Sequence, residues 1–235
     1  SLDRRQRQMC IRDRFDSVLS LQIMKVLVTG SSGFIGFHLI KNLLKSGYEV
    51  VGLDNHNEYY NPDLKLKRLA ILDSKKFSFH KLDINNIAIE DRDFDLAINL
   101  AAQAGVRVSK DQEHLYESSN IAGFKSFCNF CIEKDIKKII YASSSSVYSD
   151  ANKGKFCEHE TLLKPKSKYG KSKLLNEIYA SELIKLHDLS IVGLRFFSVY
   201  GPFGRPDMAY YSFTKSIKEN NTITVSYTHL RAHET

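Results

Sequence analysis

The sequence predicts an α/β fold, a doubly wound parallel sheet with helices on both faces and only the start of a second, substrate-binding lobe. Three observations carry this expectation. From residue 24 onward, short apolar runs rich in β-branched residues alternate with segments of helical length. The first run ends directly in a glycine-rich turn that opens a helix. The second run ends in an aspartate about twenty positions further on, the spacing of a dinucleotide-binding βαβ unit.

Taken in order, MKVLVT at 24–29 reads as the first strand and 34–46 as the helix after it. YEVVGL at 48–53 is the second strand, followed by a polar loop and a helix over 62–72. FSFHKL at 77–82 and LAINL at 96–100 continue the pattern, and 121–134 is helical. KIIYA at 138–142 and SIVGLR at 190–195 are two more strands, separated by a long helix over 171–187. Right-handed crossovers then give a parallel sheet whose ligands bind beyond the carboxyl ends of its strands. Residues 1–22 lack a useful apolar period; 1–14 and the tail VSYTHLRAHET resemble translated adapter peptides. The expected division is a non-native extension over 1–22, a dinucleotide-binding domain over 23–200, the start of a truncated substrate domain over 201–224, and a non-native tail over 225–235.

Composition narrows the function classes. The 235 residues are 43% hydrophobic and 26% charged, ordinary globular values. No run approaches the roughly eighteen apolar residues of a membrane span, and the basic stretch at the start lacks the continuous apolar run that a secretory signal needs. Four cysteines form no extracellular framework, so a cytoplasmic protein is expected. Cys128 and Cys131 make a CxxC without a second pair, which favours packing over a metal site, and no metal is expected. The net charge of +7 is spread over scattered lysines, a surface suited to an anionic nucleotide rather than to nucleic acid.

Gly30, Gly33 and Gly36 allow a sharp turn, close approach of backbone to a pyrophosphate, and close packing of helix on strand. The N–H groups around Phe34 and Ile35 then open a helix whose dipole favours phosphate. Asp54 is placed to accept hydrogen bonds from ribose hydroxyls and to repel a 2′-phosphate, so the expected cofactor is NAD. The GxxGxxG spacing resembles the short-chain dehydrogenase/reductase superfamily, whose extended group contains the nucleotide-sugar enzymes. That resemblance implies a Rossmann-type domain in which Asp83 and Ile84 contact adenine and Leu100, Ala101 and Ala102 line the cofactor. It also places a helix-kinking asparagine at Asn120.

Tyr169 and Lys173 form a YxxxK pair, which puts both side chains on one helical face. A tyrosine is a poor base at its ordinary pKa near 10, but neighbouring positive charge lowers it. The expectation is therefore a lowered Tyr169 pKa, with Lys173 also holding the nicotinamide ribose. The fifth strand runs into YASSSSVY at 141–148. Aligning Val147 and Tyr148 with the superfamily's V-Y pair puts its catalytic hydroxyl at Ser144.

Related dehydratases and decarboxylases carry carboxylates in this stretch; here the positions hold Ser145 and Ser146, which leaves epimerisation as the simplest chemistry. The segments VGLDNHNEYYN at 51–61, LAAQAGVR at 100–107 and RFFSVYGPFGRPDM at 195–208 resemble UDP-glucuronate 4-epimerases. The resemblance implies a UDP-sugar substrate touched by Arg107, Ser145, Ser198 and Arg205, with Arg205 a planar fork for a sugar carboxylate. Val108, Ser198 and Phe203 depart from the usual tyrosine, threonine and tryptophan. UDP-glucose 4-epimerase chemistry and a catalytically silent NAD-binding fragment stay open as alternatives. Relatives also imply a possible homodimer through helices near 112–134 and 167–187.

Overall fold

The computed structural model describes residues 23–105, 112–148, 156–159 and 163–223. Six strands form one sheet: β1 (Lys25–Thr29), β2 (Glu49–Leu53), β3 (Phe77–His80), β4 (Leu96–Asn99), β5 (Lys138–Ser144) and β6 (Ser190–Phe196). Their order is β3-β2-β1-β4-β5-β6 and every pairing is parallel. The order reverses between β1 and β4, and this switch point opens the cleft at the carboxyl ends.

Alternation along β1 shows why both faces are covered. Val26 and Val28 point into a core with Phe37, Ile40, Val50 and Ile98. Leu27 points the other way, toward Phe124, Phe127, Cys128, Cys131, Ile139 and Leu183. Helix α1 (Phe34–Lys45) lies on the first face, while α3 (Gly123–Glu133) and α4 (Lys168–Leu186) lie on the second. Cys128 and Cys131 thus serve in the core, and burial pushes the Cys128 thiol up to about 12. Among the described residues no helix is long and apolar enough to cross a membrane.

Three local features differ from the sequence expectation. First, α3 is preceded by a π-helical stretch, Tyr116–Ala122, containing Asn120. Second, α2 (Asp63–Ile71) mixes charge into its inward face: it buries Lys65 and Arg68 beside the partly buried Leu64 and Leu69, and leaves Leu66 52% exposed. Third, a helix not read from the sequence, α5 (Ala209–Lys218), follows the GRPDM segment and buries none of its residues.

Candidate active site

The glycine turn is built by close approach rather than by flexibility alone. Gly30 has φ +67 and packs on the β4 loop, where a Cβ would meet Ala101 N at 2.7 Å. A Cβ on Gly36 would lie 2.2 Å from the Gly30 carbonyl oxygen, and one on Gly33 would lie 3.0 Å from it. These contacts draw the α1 N-terminus against the end of β1. The N-cap residue Gly33 offers no side chain to the first N–H groups, and no acidic residue stands in the first turn. A helix start left open in this way suits a phosphate. The turn therefore fits a dinucleotide pyrophosphate, held by Gly33, Phe34, Ile35 and Gly36 at the wall of the cleft.

That cleft has a volume of about 360 Å³ and brings together most of the residues singled out from the sequence. Gly30, Gly33, Phe34, Ile35, Gly36, Asp54, Ile84, Leu100, Ala101 and Ala102 line its cofactor side. Ser144, Ser145, Tyr169, Lys173, Ser198 and Arg205 line the other. Asp83 is exposed and does not line it. Its carboxylate accepts from Asn85 N at 2.9 Å, Asn85 Nδ2 at 2.8 Å and Asn55 Nδ2 at 2.8 Å. Partial burial pushes Asp83 up, but these hydrogen bonds outweigh it and hold its carboxyl below the usual range. Arg107 lies outside the described residues.

Asp54 ends β2 and is buried. Its Oδ1 accepts from His56 N at 2.9 Å and pairs with Lys65 Nζ at 3.4 Å. Lys65, Asn57, Tyr59 and Tyr60 also line the cleft and were not anticipated. Nothing in the α2 sequence announces a buried lysine, because Leu64 and Leu69 already supply an inward face.

Asn120 joins the two halves of the site. Its Oδ1 accepts from Gln103 N at 2.7 Å, and its Nδ2 donates to Ser172 Oγ at 3.0 Å and to Gln103 O at 3.3 Å. The π-helical register thus aims a buried amide at both the β4 loop and α4, a stronger role than capping.

Helix α4 starts at Ser167, whose hydroxyl accepts from Gly170 N at 2.9 Å. Gly170 is required there, since a Cβ would meet the Ser146 carbonyl oxygen at 2.4 Å. The close approach sets Tyr169 against the end of β5, where it shares the cleft with Ser144. Ser144 Oγ accepts from Ser146 N at 3.1 Å, which leaves its proton for the phenol oxygen. Lys173 Nζ donates to the Ala142 carbonyl at 2.8 Å and stands 5.8 Å from the Tyr169 ring centroid. Burial pushes the Lys173 ammonium down to about 8.

The chain's own groups do not by themselves lower the Tyr169 pKa. Burial pushes the phenol above its ordinary value, against the pull of the Ser144 hydrogen bond and the Arg205 charge. Desolvation disfavours the phenolate more than these two groups favour it. Lys173, the ammonium expected to lower the phenol, is instead tied to the strand carbonyl.

Arg205 reaches the cleft but is already engaged. Its Nε donates to Asp207 Oδ1 at 3.0 Å, and its Nη2 pairs with Asp207 Oδ2. Tyr59 OH donates to the same Asp207 Oδ2 at 3.2 Å. The fork expected to meet a sugar carboxylate thus holds a carboxylate of its own chain. Its segment is anchored by α1 and α2: His38 Nε2 donates to the Pro202 carbonyl at 2.8 Å, and Arg68 Nη2 to the Phe203 carbonyl at 2.7 Å. Phe203 adopts φ +58, rare for a bulky side chain, and Arg68 helps hold it there.

The NAD dependent epimerase/dehydratase family model matches residues 26–232. The chain is 42% identical over 211 residues to protein CapI of Staphylococcus aureus, covering 88% of this chain and 63% of that protein. It is 41% identical over 206 residues to UDP-glucuronate 4-epimerase 4 of Arabidopsis thaliana, covering 85% of this chain and 47% of that one. Among solved structures, UDP-glucuronic acid 4-epimerase from Bacillus cereus, in complex with UDP-glucuronic acid and NAD, superposes with a TM-score of 0.77 at 36% identity. That alignment covers 84% of this chain and 64% of the Bacillus chain. The chain thus spans between about half and two thirds of the length of these relatives.

Proposed function

The chain belongs to the NAD dependent epimerase/dehydratase family, and on that premise we propose that it carries the cofactor and catalytic centre of a UDP-uronic acid 4-epimerase, interconverting UDP-glucuronate and UDP-galacturonate. The observation that carries this reading is the convergence of Ser144, Tyr169 and Arg205 on the cleft walled by the glycine turn. Likeness to the Arabidopsis and Bacillus epimerases supports the choice of sugar.

NAD, which the glycine turn and Asp54 would hold, would supply a reversible hydride acceptor for the sugar C4 and a cationic ring that favours the phenolate form of Tyr169. Tyr169 Oη takes the proton from the sugar C4 hydroxyl and gives it back to the opposite epimer. Ser144 Oγ steadies the reacting oxygen, its own lone pair held by Ser146 N. Lys173, fixed on Ala142, keeps its charge near the phenol. Ser145 and Ser146 supply no carboxylate for eliminating water, so oxidation and re-reduction stand alone. Ser198 is a hydroxyl partner for the sugar. Arg205 meets the uronate carboxylate by exchanging it for Asp207. Leu175 and Ile178, each 47% exposed on α4, support a homodimer through that helix. A cytoplasmic site suits a nucleotide-sugar enzyme.

The engaged fork of Arg205 favours a second reading, in which the sugar is neutral and the enzyme is a UDP-glucose 4-epimerase. Incubation with NAD and each of UDP-glucuronate and UDP-glucose, with chromatographic separation of the epimers, decides between them. The expected outcome is formation of UDP-galacturonate, lowered about 10²- to 10⁴-fold by Tyr169→Phe. Arg205→Ala should depress turnover of the uronate selectively; an equal loss for both sugars removes its proposed role. Absence of UDP-galacturonate despite bound NAD overturns the reading.

A further inference from the structure

The inward stripe of α2 carries charge where apolar side chains are ordinarily buried. Lys65 is 5% exposed and Arg68 fully buried, and they lie one turn apart at i and i+3. Burying an ammonium is costly unless it is paired and hydrogen-bonded. Lys65 Nζ is both: it donates to Asn57 Oδ1 at 2.8 Å and pairs with Asp54 Oδ1 at 3.4 Å. Burial pushes Lys65 below its ordinary range, and the Asp54 charge pulls the other way. One turn on, Arg68 Nη1 donates to the Ser32 carbonyl of the glycine turn at 3.0 Å.

This arrangement changes how Asp54 discriminates between dinucleotides. A lone carboxylate at the end of the second strand excludes a 2′-phosphate by repulsion as well as by occupying the hydroxyl position. Here the carboxylate is offset by Lys65, and Arg68 stands close behind. Lys65 therefore weakens the repulsion that the Asp54 charge alone would exert on a 2′-phosphate. Exclusion then rests more on the carboxylate itself, as a hydrogen-bond acceptor filling the place a phosphate would need. Both of the structure's contacts to Asp54 fall on Oδ1, so Lys65 and His56 orient the group without using Oδ2.

The geometry points to Asp54 and Lys65 as a coupled selectivity pair, in which Lys65 positions the carboxylate for the ribose hydroxyls and is itself a 2′-phosphate receptor masked by it. Without the carboxylate, a buried ammonium lining the cleft lacks its counter-charge, and a 2′-phosphate restores one through a charge-assisted contact. The inference rests on the site being the NAD site.

Titration calorimetry of the full chain, stripped of nucleotide, with NAD and with NADP tests it on four proteins: wild type, Asp54→Ser, Lys65→Met and the double variant. Wild type should prefer NAD, and Lys65→Met should bind NAD more weakly. Asp54→Ser should shift the NADP-to-NAD affinity ratio toward NADP by on the order of tenfold or more. The double variant should lose that gain. Thermal unfolding without nucleotide shows whether each variant is folded, and Asp54→Ala substitutes where the serine variant is not. An unchanged ratio in a folded Asp54 variant, or a gain undiminished in the double variant, overturns the proposal while leaving the NAD site intact. A wild type that binds neither dinucleotide overturns the NAD reading itself, and the selectivity pair with it.

Discussion

Replacing Glu177 by alanine should destabilise the protein by about 3 kcal/mol, because one carboxylate ties α4 to two strands at once. Glu177 follows Lys173 by one helical turn and faces the same strands. Its Oε1 accepts from Ser143 Oγ and from Arg195 Nε at 2.9 Å, and its Oε2 accepts from Arg195 Nη2 at 2.8 Å. Ser143 adjoins Ser144 on β5, so the clamp acts next to the hydroxyl proposed to steady the reacting oxygen. The side chains of Arg195 and Glu177 are 17% and 15% exposed, closer to a buried pair than to a surface one. Surface pairs contribute about 0–1 kcal/mol, whereas removing one partner of a buried pair costs about 3–5 kcal/mol. The lower end of the second range applies, because water still reaches both groups. For a chain of this size each 1 kcal/mol moves Tm by roughly 2–4 °C, so a fall of about 6–12 °C is expected. Urea and thermal unfolding of Glu177→Ala, Arg195→Met and the double variant give the coupling energy, expected near 2 kcal/mol. A coupling below about 0.5 kcal/mol would refute the reasoning, since the pair would then behave as a solvated surface contact.

Two further outcomes follow from the same geometry. Gly36→Ala drives a methyl group against the Gly30 carbonyl oxygen at 2.2 Å, so it should abolish NAD binding and lower Tm, while Gly33→Ala, with 3.0 Å to the same atom, should do so less. Equal effects in calorimetry and thermal unfolding would show that the turn is not set by that contact. Lys173 has an ordinary pKa of 10.5 and a folded value pushed down to about 8, so the unfolded chain holds its proton more tightly between these values. Its burial therefore costs most below pH 8, and the cost disappears as pH rises to 10.5, a change of about 3 kcal/mol in favour of the folded state. Urea unfolding from pH 7.5 to 10.5 should show that rise in wild type relative to Lys173→Met, which also cancels the titration of cysteines and tyrosines common to both; parallel profiles would remove the buried ammonium as its source.

The sheet was legible because its signals are local. β-Branched runs such as MKVLVT and KIIYA need burial on both faces, and glycine at the end of the first run needs a turn. All six expected strands form, each within two residues at either end of its predicted span, and the 34–46 helix ends one residue early at Lys45. The site was legible where chemistry has a fixed spacing, as in YxxxK and the three glycines. It was not legible in α2. The pattern DLKLKRLAI turns Leu64 and Leu69 inward, yet Lys65 and Arg68 share that face, Lys65 lining the cleft and Arg68 bonding the Ser32 and Phe203 carbonyls. Helical periodicity predicts which residues share a face, not what the face meets. Tyr169 shows a related limit: spacing places Lys173 near the phenol, but Lys173 is tied to the Ala142 carbonyl, and desolvation, which no motif shows, pushes the phenol up against the pull of Ser144 and Arg205.

The expected boundary near residue 200 separates cofactor binding from substrate binding, and the hydrogen bonds cross it repeatedly. Pro202 is held by His38 of α1, Phe203 by Arg68 of α2, and Asp207 by Tyr59 of the loop between β2 and α2. Arg68 is the junction: one guanidinium nitrogen donates to the Ser32 carbonyl in the glycine turn and to Tyr60 OH, the other to the Phe203 carbonyl two residues before Arg205. A fully buried arginine bonded at both ends transmits displacement, since moving either carbonyl strands a charge in a site that water does not reach. The position of Arg205 is therefore a property of the dinucleotide-binding domain. On the proposed function, sugar selectivity and cofactor seating become two readouts of the same buried hydrogen-bond network, and substitutions in α2 should disturb both.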